Sequence, residues 1–188
     1  MLLGGAFDVI LNAAQANASW AFSRLYEWLA PAVSGYVRLQ GIGDDEDVVS
    51  EVFLAAFTRL HTFQGDEAQF RSWVFTIAHH RIVDARRAHA RTPPMEDIFE
   101  AEGWGRHLEP APSAEDLALP SLEVGSLRGV LDRLSPDQRD VLMMRVVADL
   151  SVEQVADALG KQPGAVRALQ HRAVLALRRH IAAEAVTR

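Results

Sequence analysis

Residues Ser151 to Arg179, SVEQVADALGKQPGAVRALQHRAVLALRR, decide how the chain is read. A serine able to cap a helix opens a short helix that ends at Leu159. Gly160 then supplies the backbone freedom of a turn, and a long helix starts near Pro163 and runs to about Ala183. This is the helix-turn-helix layout, in which the second helix enters the major groove of DNA. Val155 and Leu159 point inward from the first helix, and Val166, Leu169, Ala173 and Leu177 line one face of the second. Ala156 is small where the two helices must approach. The opposite face carries Arg167, Gln170, His171 and Arg172, followed by Arg178 and Arg179. Arginine pairs with guanine through two hydrogen bonds and glutamine with adenine, and the other basic groups suit phosphates. Gln162 and Gly164 sit at the helix N-terminus, where free backbone N–H groups attract a phosphate. The same side chains would fit a solvated basic face on an ordinary helix. The complete layout of cap, short helix, glycine turn, proline start and basic outer face favours DNA binding.

Working upstream, Leu127, Val130, Leu131 and Leu134 mark a first short helix after Ser126. Ser135-Pro136 starts a second, with Val141, Leu142 and Val146 on its apolar face. The segment from 92 to 125 differs in character. It holds five of the eight prolines and eight acidic residues, and it reads as an extended linker in which Ile98, Phe99 and Trp104 suggest a docking element. Residues 1–91 read as helical. Phe22, Leu25, Leu29, Val33 and Tyr36 form one stripe, with a kink or break expected at Pro31. Val49, Val52 or Phe53, Ala56 and Leu60 form another, preceded by the acidic cluster Asp44 to Asp47, which suits the positive end of a helix dipole. After a break at His61 to Glu67, a third helix runs from about Ala68 to Ala90, burying Phe70, Trp73 or Val74, Ile77, Ile82 and Ala85. The expectation is an all-α chain of two small helical domains, 1–91 and 126–188, joined by an acidic proline-containing linker, 92–125.

The net charge of −6 hides an asymmetry: −3 over residues 1–90, −6 over 91–125 and +3 over 126–188. A binding face answers to local rather than global charge, and the basic part is the part that carries the helix-turn-helix. With no cysteine, disulfides and thiolate metal sites are excluded. No signal peptide and no membrane-spanning run is legible, so a cytoplasmic protein without membrane insertion is expected. His79-His80 is the one histidine pair. Adjacent helical residues diverge by about 100°, so the two cannot share a metal. No catalytic or phosphate-loop motif appears. Neither enzyme activity, nor a cofactor, nor a metal is expected.

Two segments resemble the extracytoplasmic-function sigma factors of the sigma-70 family. One is DDEDVVSEVFLAAFTRLHTFQGDEAQFRSWVFTIAHHRIVDARRAHAR, Asp44 to Arg91, which is similar to region two. The other is LDRLSPDQRDVLMMRVVADLSVEQVADALGKQPGAVRALQHRAVLALRRHI, Leu131 to Ile181, which is similar to region four. The resemblance implies a subunit that binds core RNA polymerase, through the β′ coiled coil and the β flap, and directs it to promoter DNA. Region four would read the −35 element through Gln162, Gly164, Arg167, Ala168, Gln170, His171 and Arg172. Region two would bind the β′ coiled coil through Asp47 and Glu51, an acidic helix suiting a basic partner. On the residues alone, those two read as a solvated helix face. Region two would also melt the −10 element and hold an unstacked base in the loop His61 to Glu67, with Phe63, Gln64 and Asp66 as candidates. Arg71, His79, His80, Arg81, Arg86 and Arg87 would face the strand backbone. Trp73 reads as core rather than a stacking platform, and Phe63 fits either role equally. Members are often restrained by an anti-sigma factor, a further expected partner. The acidic linker is a second candidate restraint, by mimicking nucleic acid or masking the basic domain.

The chain departs from the pattern at Ser50, where glutamine is common, at Lys161 and Gln162 in the turn, and at Ala168, which has no side-chain hydrogen bond to give a base. Two other readings remain: a helix-turn-helix regulator acting on DNA without polymerase, and an inactive relative that only sequesters polymerase.

Overall fold

The computed structural model describes residues 3–42, 45–91 and 128–186, and every regular element among them is helical. The linker assigned to 92–125, with Ile98, Phe99 and Trp104, lies outside the described residues, as do Asp44 and the boundary at 125–126. Four helices make the N-terminal group: α1 (Phe7–Gln15), α2 (Ser19–Gln40), α3 (Asp45–Thr58) and α4 (Glu67–Arg91). After a helical turn at 128–131, three more follow: α5 (Pro136–Val146), α6 (Val152–Leu159) and α7 (Pro163–Val186). None of the described helices is long and apolar enough to cross a membrane.

The stripes expected in α2 and α3 are buried: Leu25, Leu29, Val33 and Tyr36 from the first, Val49, Val52, Phe53 and Ala56 from the second. α2 runs unbroken through Pro31, which corrects the expectation of a break there. Pro31 is on the exposed side, while Leu29 and Val33 on either side of it are held in the core. That burial offsets the lost backbone hydrogen bond. α1 was not singled out by the sequence reading. It buries Phe7, Ile10, Leu11 and Ala14 at spacings of three and four, and the Phe7 ring meets Phe70 at 5.7 Å and Trp28 at 6.1 Å.

In the C-terminal group, Ser135 and Ser151 each form a capping box. Their hydroxyls accept from the backbone N–H of Gln138 and Gln154, whose side chains accept from the serine N–H in return. A cap of this kind contributes about 1 kcal/mol. Val146 is 67% exposed, against expectation. α5 ends there, and the chain turns back through Asp149, at φ 52°, so that Ala148 and Leu150 fill the core in its place.

The two groups pack on each other, with α6 against α4 and α5 against α2. At the junction Asp140 of α5 is buried, 4% exposed. It accepts a hydrogen bond of 3.0 Å from Gln40 Nε2, and the Arg86 guanidinium lies 3.6 Å away and donates in turn to Gln40 Oε1. His79 Nδ1 lies 3.8 Å from the other Asp140 oxygen and 3.4 Å from Tyr36 Oη. Burial pushes the Tyr36 phenol well up, and Asp140 adds to that. Burial holds the His79 imidazole below its ordinary value, and it outweighs the opposing pull of Asp140.

His79 therefore packs as a neutral ring. The unfolded chain takes up a proton at about pH 6.5, which the folded chain resists. The stabilisation is complete above that value and is lost as pH falls through the lowered folded one. Thermal melting between pH 7 and pH 5 is expected to drop more steeply for the native chain than for His79→Gln. Equal slopes would remove His79 as the group responsible.

Candidate nucleic-acid and partner interfaces

The helix-turn-helix is built as its residues require. Gly160 adopts the left-handed conformation, φ 61° and ψ 34°, and closes α6. The next N–H, from Lys161, returns to Ala156 O at 2.8 Å. Val155, Ala156, Ala158, Val166 and Ala173 are buried between α6, α7 and the helices around them. This core leaves Gln162, Gly164, Arg167, Ala168, His171 and Arg172 exposed along the start of α7, with Gln170 half-buried beside them. Arg167 pairs with Glu153 at 3.1 Å, both more than 60% exposed. An exposed pair of this kind contributes at most about 1 kcal/mol, so exchanging it for a phosphate or a base costs little. Arg172 Nε donates to Ala168 O at 3.2 Å, which lays its guanidinium along the helix. Lys161, a departure from the family pattern, pairs with Asp137 at 2.9 Å and ties the turn to α5.

The residues expected at the −10 element are not gathered on one surface. Phe63 is half-buried, 5.1 Å from the Phe70 ring and 5.2 Å from Trp73. Gln64 is exposed. Asp66 caps α4: its Oδ1 accepts from Gln69 N at 2.8 Å, and its own N–H donates to Gln69 Oε1 at 2.9 Å. Between them Gly65 holds φ 154°, where an added Cβ would meet Gln69 Oε1 at 2.6 Å. On α4 the basic residues divide three ways. His80 and Arg87 line a cleft between α4 and α6, with Asp157 opposite. Arg81 turns to Glu51 of α3, at 3.8 Å. Arg71 and Arg86 turn to the C-terminal group. Arg71 lies over the Trp28 ring at 5.2 Å and 4.0 Å from Asp149, and Arg86 belongs to the Asp140 network. Sequence reasoning missed Gln40, Asp140 and Asp149, because these partners stand 46 to 100 residues away from the groups they meet.

Asp47 and Glu51 are both exposed on one stripe of α3 and line a cleft with Arg81 and Asp84. Leu54, one turn further along the stripe, is 70% exposed. Its periodicity marks it as lying off the core face, a signal the sequence reading did not use.

Residues 22–92 match the family model for Sigma-70 region 2, and residues 125–177 match that for Sigma-70, region 4. The chain is 34% identical over 177 residues to the ECF RNA polymerase sigma factor BldN of Streptomyces coelicolor, an alignment covering 90% of this chain and 64% of that relative. It is 32% identical over 187 residues to the ECF RNA polymerase sigma factor SigD of Mycobacterium tuberculosis, covering 96% of this chain and 86% of the relative. Among solved structures, its fold is similar to CnrH, in complex with the cytosolic domain of CnrY. The TM-score is 0.68 at 23% identity, covering 95% of this chain and 98% of that one. It is also similar to the sigma factor RpoE of Bartonella quintana, in complex with the anti-sigma factor NepR. There the TM-score is 0.65 at 22% identity, covering 84% and 94%.

Any strand held by Arg71 must displace Asp149, whose side chain is 84% exposed. Asp149→Asn keeps a residue that tolerates φ 52° while removing the charge. It is expected to raise affinity for a single-stranded −10 oligonucleotide about two- to fivefold in a fluorescence anisotropy titration, the scale of one exposed ion pair. No gain would mean that Arg71 does not face the strand.

Proposed function

The chain belongs to the extracytoplasmic-function sigma factors of the sigma-70 family, and on that footing we propose how its surfaces divide the work of starting transcription. It is a sigma factor that directs RNA polymerase to initiate at promoters, and promoter DNA and core polymerase are its partners. Residues 1–91 act as the polymerase-binding and −10-reading domain, and residues 126–188 as the −35-reading domain. The part is one of recognition without catalysis, played in the cytoplasm beside the polymerase.

The observation that carries this reading is the pairing of two unlike exposed surfaces in one chain. The acidic stripe Asp47–Glu51, extended by exposed Leu54, offers charge and an apolar contact to a basic helix such as the β′ coiled coil. The start of α7 offers Arg167, His171 and Arg172 to a major groove, with the Gln162–Gly164 end left open for a phosphate. Ala168 is exposed there and suits apolar contact with a thymine methyl rather than a hydrogen bond. In the −10 half, Gln64 is the exposed loop residue that meets an unstacked base, and Phe63 supports the loop from its aromatic cluster. Asp66 acts chiefly by capping α4 and so shaping the loop. His80, Arg81 and Arg87 are the backbone contacts, joined by Arg71 once Asp149 is displaced, whereas Arg86 is kept by the Asp140 network. An anti-sigma factor is the partner that restrains the factor. Two solved relatives of the same fold are complexes, one of them with an anti-sigma factor by name.

Separating the two surfaces tests the division. Asp47→Lys with Glu51→Lys is expected to weaken core polymerase binding about tenfold or more, while the −35 contact measured in a promoter-fusion footprint is retained on saturating polymerase. Arg167→Ala with Arg172→Ala should do the reverse, costing about tenfold in −35-dependent initiation at unchanged core affinity. If the chain shifted a specific duplex by itself and failed to bind core polymerase, a free-standing regulator would be the better reading.

A further inference from the structure

We propose that Gln15, at the end of α1, is a positioning residue for −10 base selection, and that α1 serves as a splint for the base-reading loop. The inference rests on the reading of His61 to Glu67 as that loop. The Gln15 side-chain amide spans the loop entrance: Nε2 donates to Leu60 O at 3.1 Å and to Phe63 O at 2.8 Å. These carbonyls bracket the short 3-10 turn Leu60–Thr62, which ends in the extended conformation of Phe63. One donor group from 45 and 48 residues away thus fixes both the turn and the residue that leaves it.

The opposite end of the same splint is tied to the loop's exit. Glu67, the first residue of α4, accepts from Leu3 N at 2.6 Å and Gly4 N at 2.9 Å, just ahead of α1. Between the two ties, Phe7 packs on Phe70, which packs edge-on against Phe63. The loop itself is exposed at His61, Thr62, Gln64, Gly65 and Asp66, so its own residues provide little packing to hold a shape. A pocket that discriminates bases must be set before the base arrives, since an adaptable one accepts the wrong base at similar cost. α1 and the residues just ahead of it contribute none of the candidate base contacts, yet together they tie the loop at its entry and its exit.

The test uses the full chain with core polymerase and a promoter series in which each −10 position is changed in turn. Gln15→Met keeps shape and removes the donor. The ratio of initiation on the preferred −10 sequence to that on the single-base variants is expected to fall about five- to tenfold, part of the discrimination a base position usually carries. Dependence on the −35 element and core affinity should stay unchanged. Gln15→Lys, which restores a donor, should recover most of the ratio. Hydrogen exchange of the amides of residues 61–66 should quicken in Gln15→Met, with α7 unaffected. A uniform loss of initiation across all −10 variants, or an unchanged ratio, would overturn the proposal. Gln64→Ala separates it from the reading beneath: if that change alters discrimination and Gln15→Met does not, only the splint fails. If neither alters it, the loop does not read the base and both fail.

Discussion

A single carboxylate decides how the helices of this molecule stand together. Asp140 is almost wholly withdrawn from water, a position that an isolated charge cannot hold, because desolvation costs several kcal/mol. It is held there by Gln40 from α2 and Arg86 from α4, with His79 and Tyr36 around it. The N-terminal helices provide the donors and the C-terminal helices the acceptor, so neither group satisfies the cluster alone. The cost of leaving it unmet favours the one packing in which α5 sits over α2 and α6 over α4. Two further polar contacts across the junction, Arg71 to Asp149 and Gln154 to the Ala68 carbonyl, follow from that packing.

This packing gives the two ends proposed to read the promoter different starting points. The face of α7 is open, and its Arg167–Glu153 ion pair is exposed. On α4, two of the arginines suited to a phosphate backbone already face carboxylates of the C-terminal group. On the proposed division, double-stranded recognition needs only a docking event, whereas strand capture through Arg71 also needs an exchange of partners. Such an exchange is favoured when a polyanion supplies many phosphates at once.

What the sequence made legible was what one helix can express by itself. The stripes of α2 and α3, the capping serines, Gly160 and the outward face of α7 all follow from periodicity and local chemistry. α1 escaped because it is nine residues long and has no side-chain cap at Ala6, although Phe7, Ile10 and Ala14 carried the spacing. Pro31 reads as a kink or a break while local propensity is weighed without the core on either side of it. Val146 was read as buried because periodicity does not announce where a helix stops. The α4 residues were legible as basic, but not as divided among three neighbours. Orientation there depends on Glu51, Asp140 and Asp149, which only the tertiary fold brings near. Asp66 and Phe63 show the same limit: Asp66 is read as a candidate base contact and Phe63 as fitting core or base equally, and only the fold adds the α4 cap made by the one and the aromatic cluster around the other.

The central claim is that the chain confers promoter choice on polymerase. The most direct measurement is in vitro transcription from a genomic DNA library with purified core polymerase, with and without this protein, mapping the 5′ ends. The account predicts new, discrete start sites that require the chain and share a −35 and a −10 element at constant spacing. An unchanged set of starts, with the protein alone bound to a specific duplex, would contradict it.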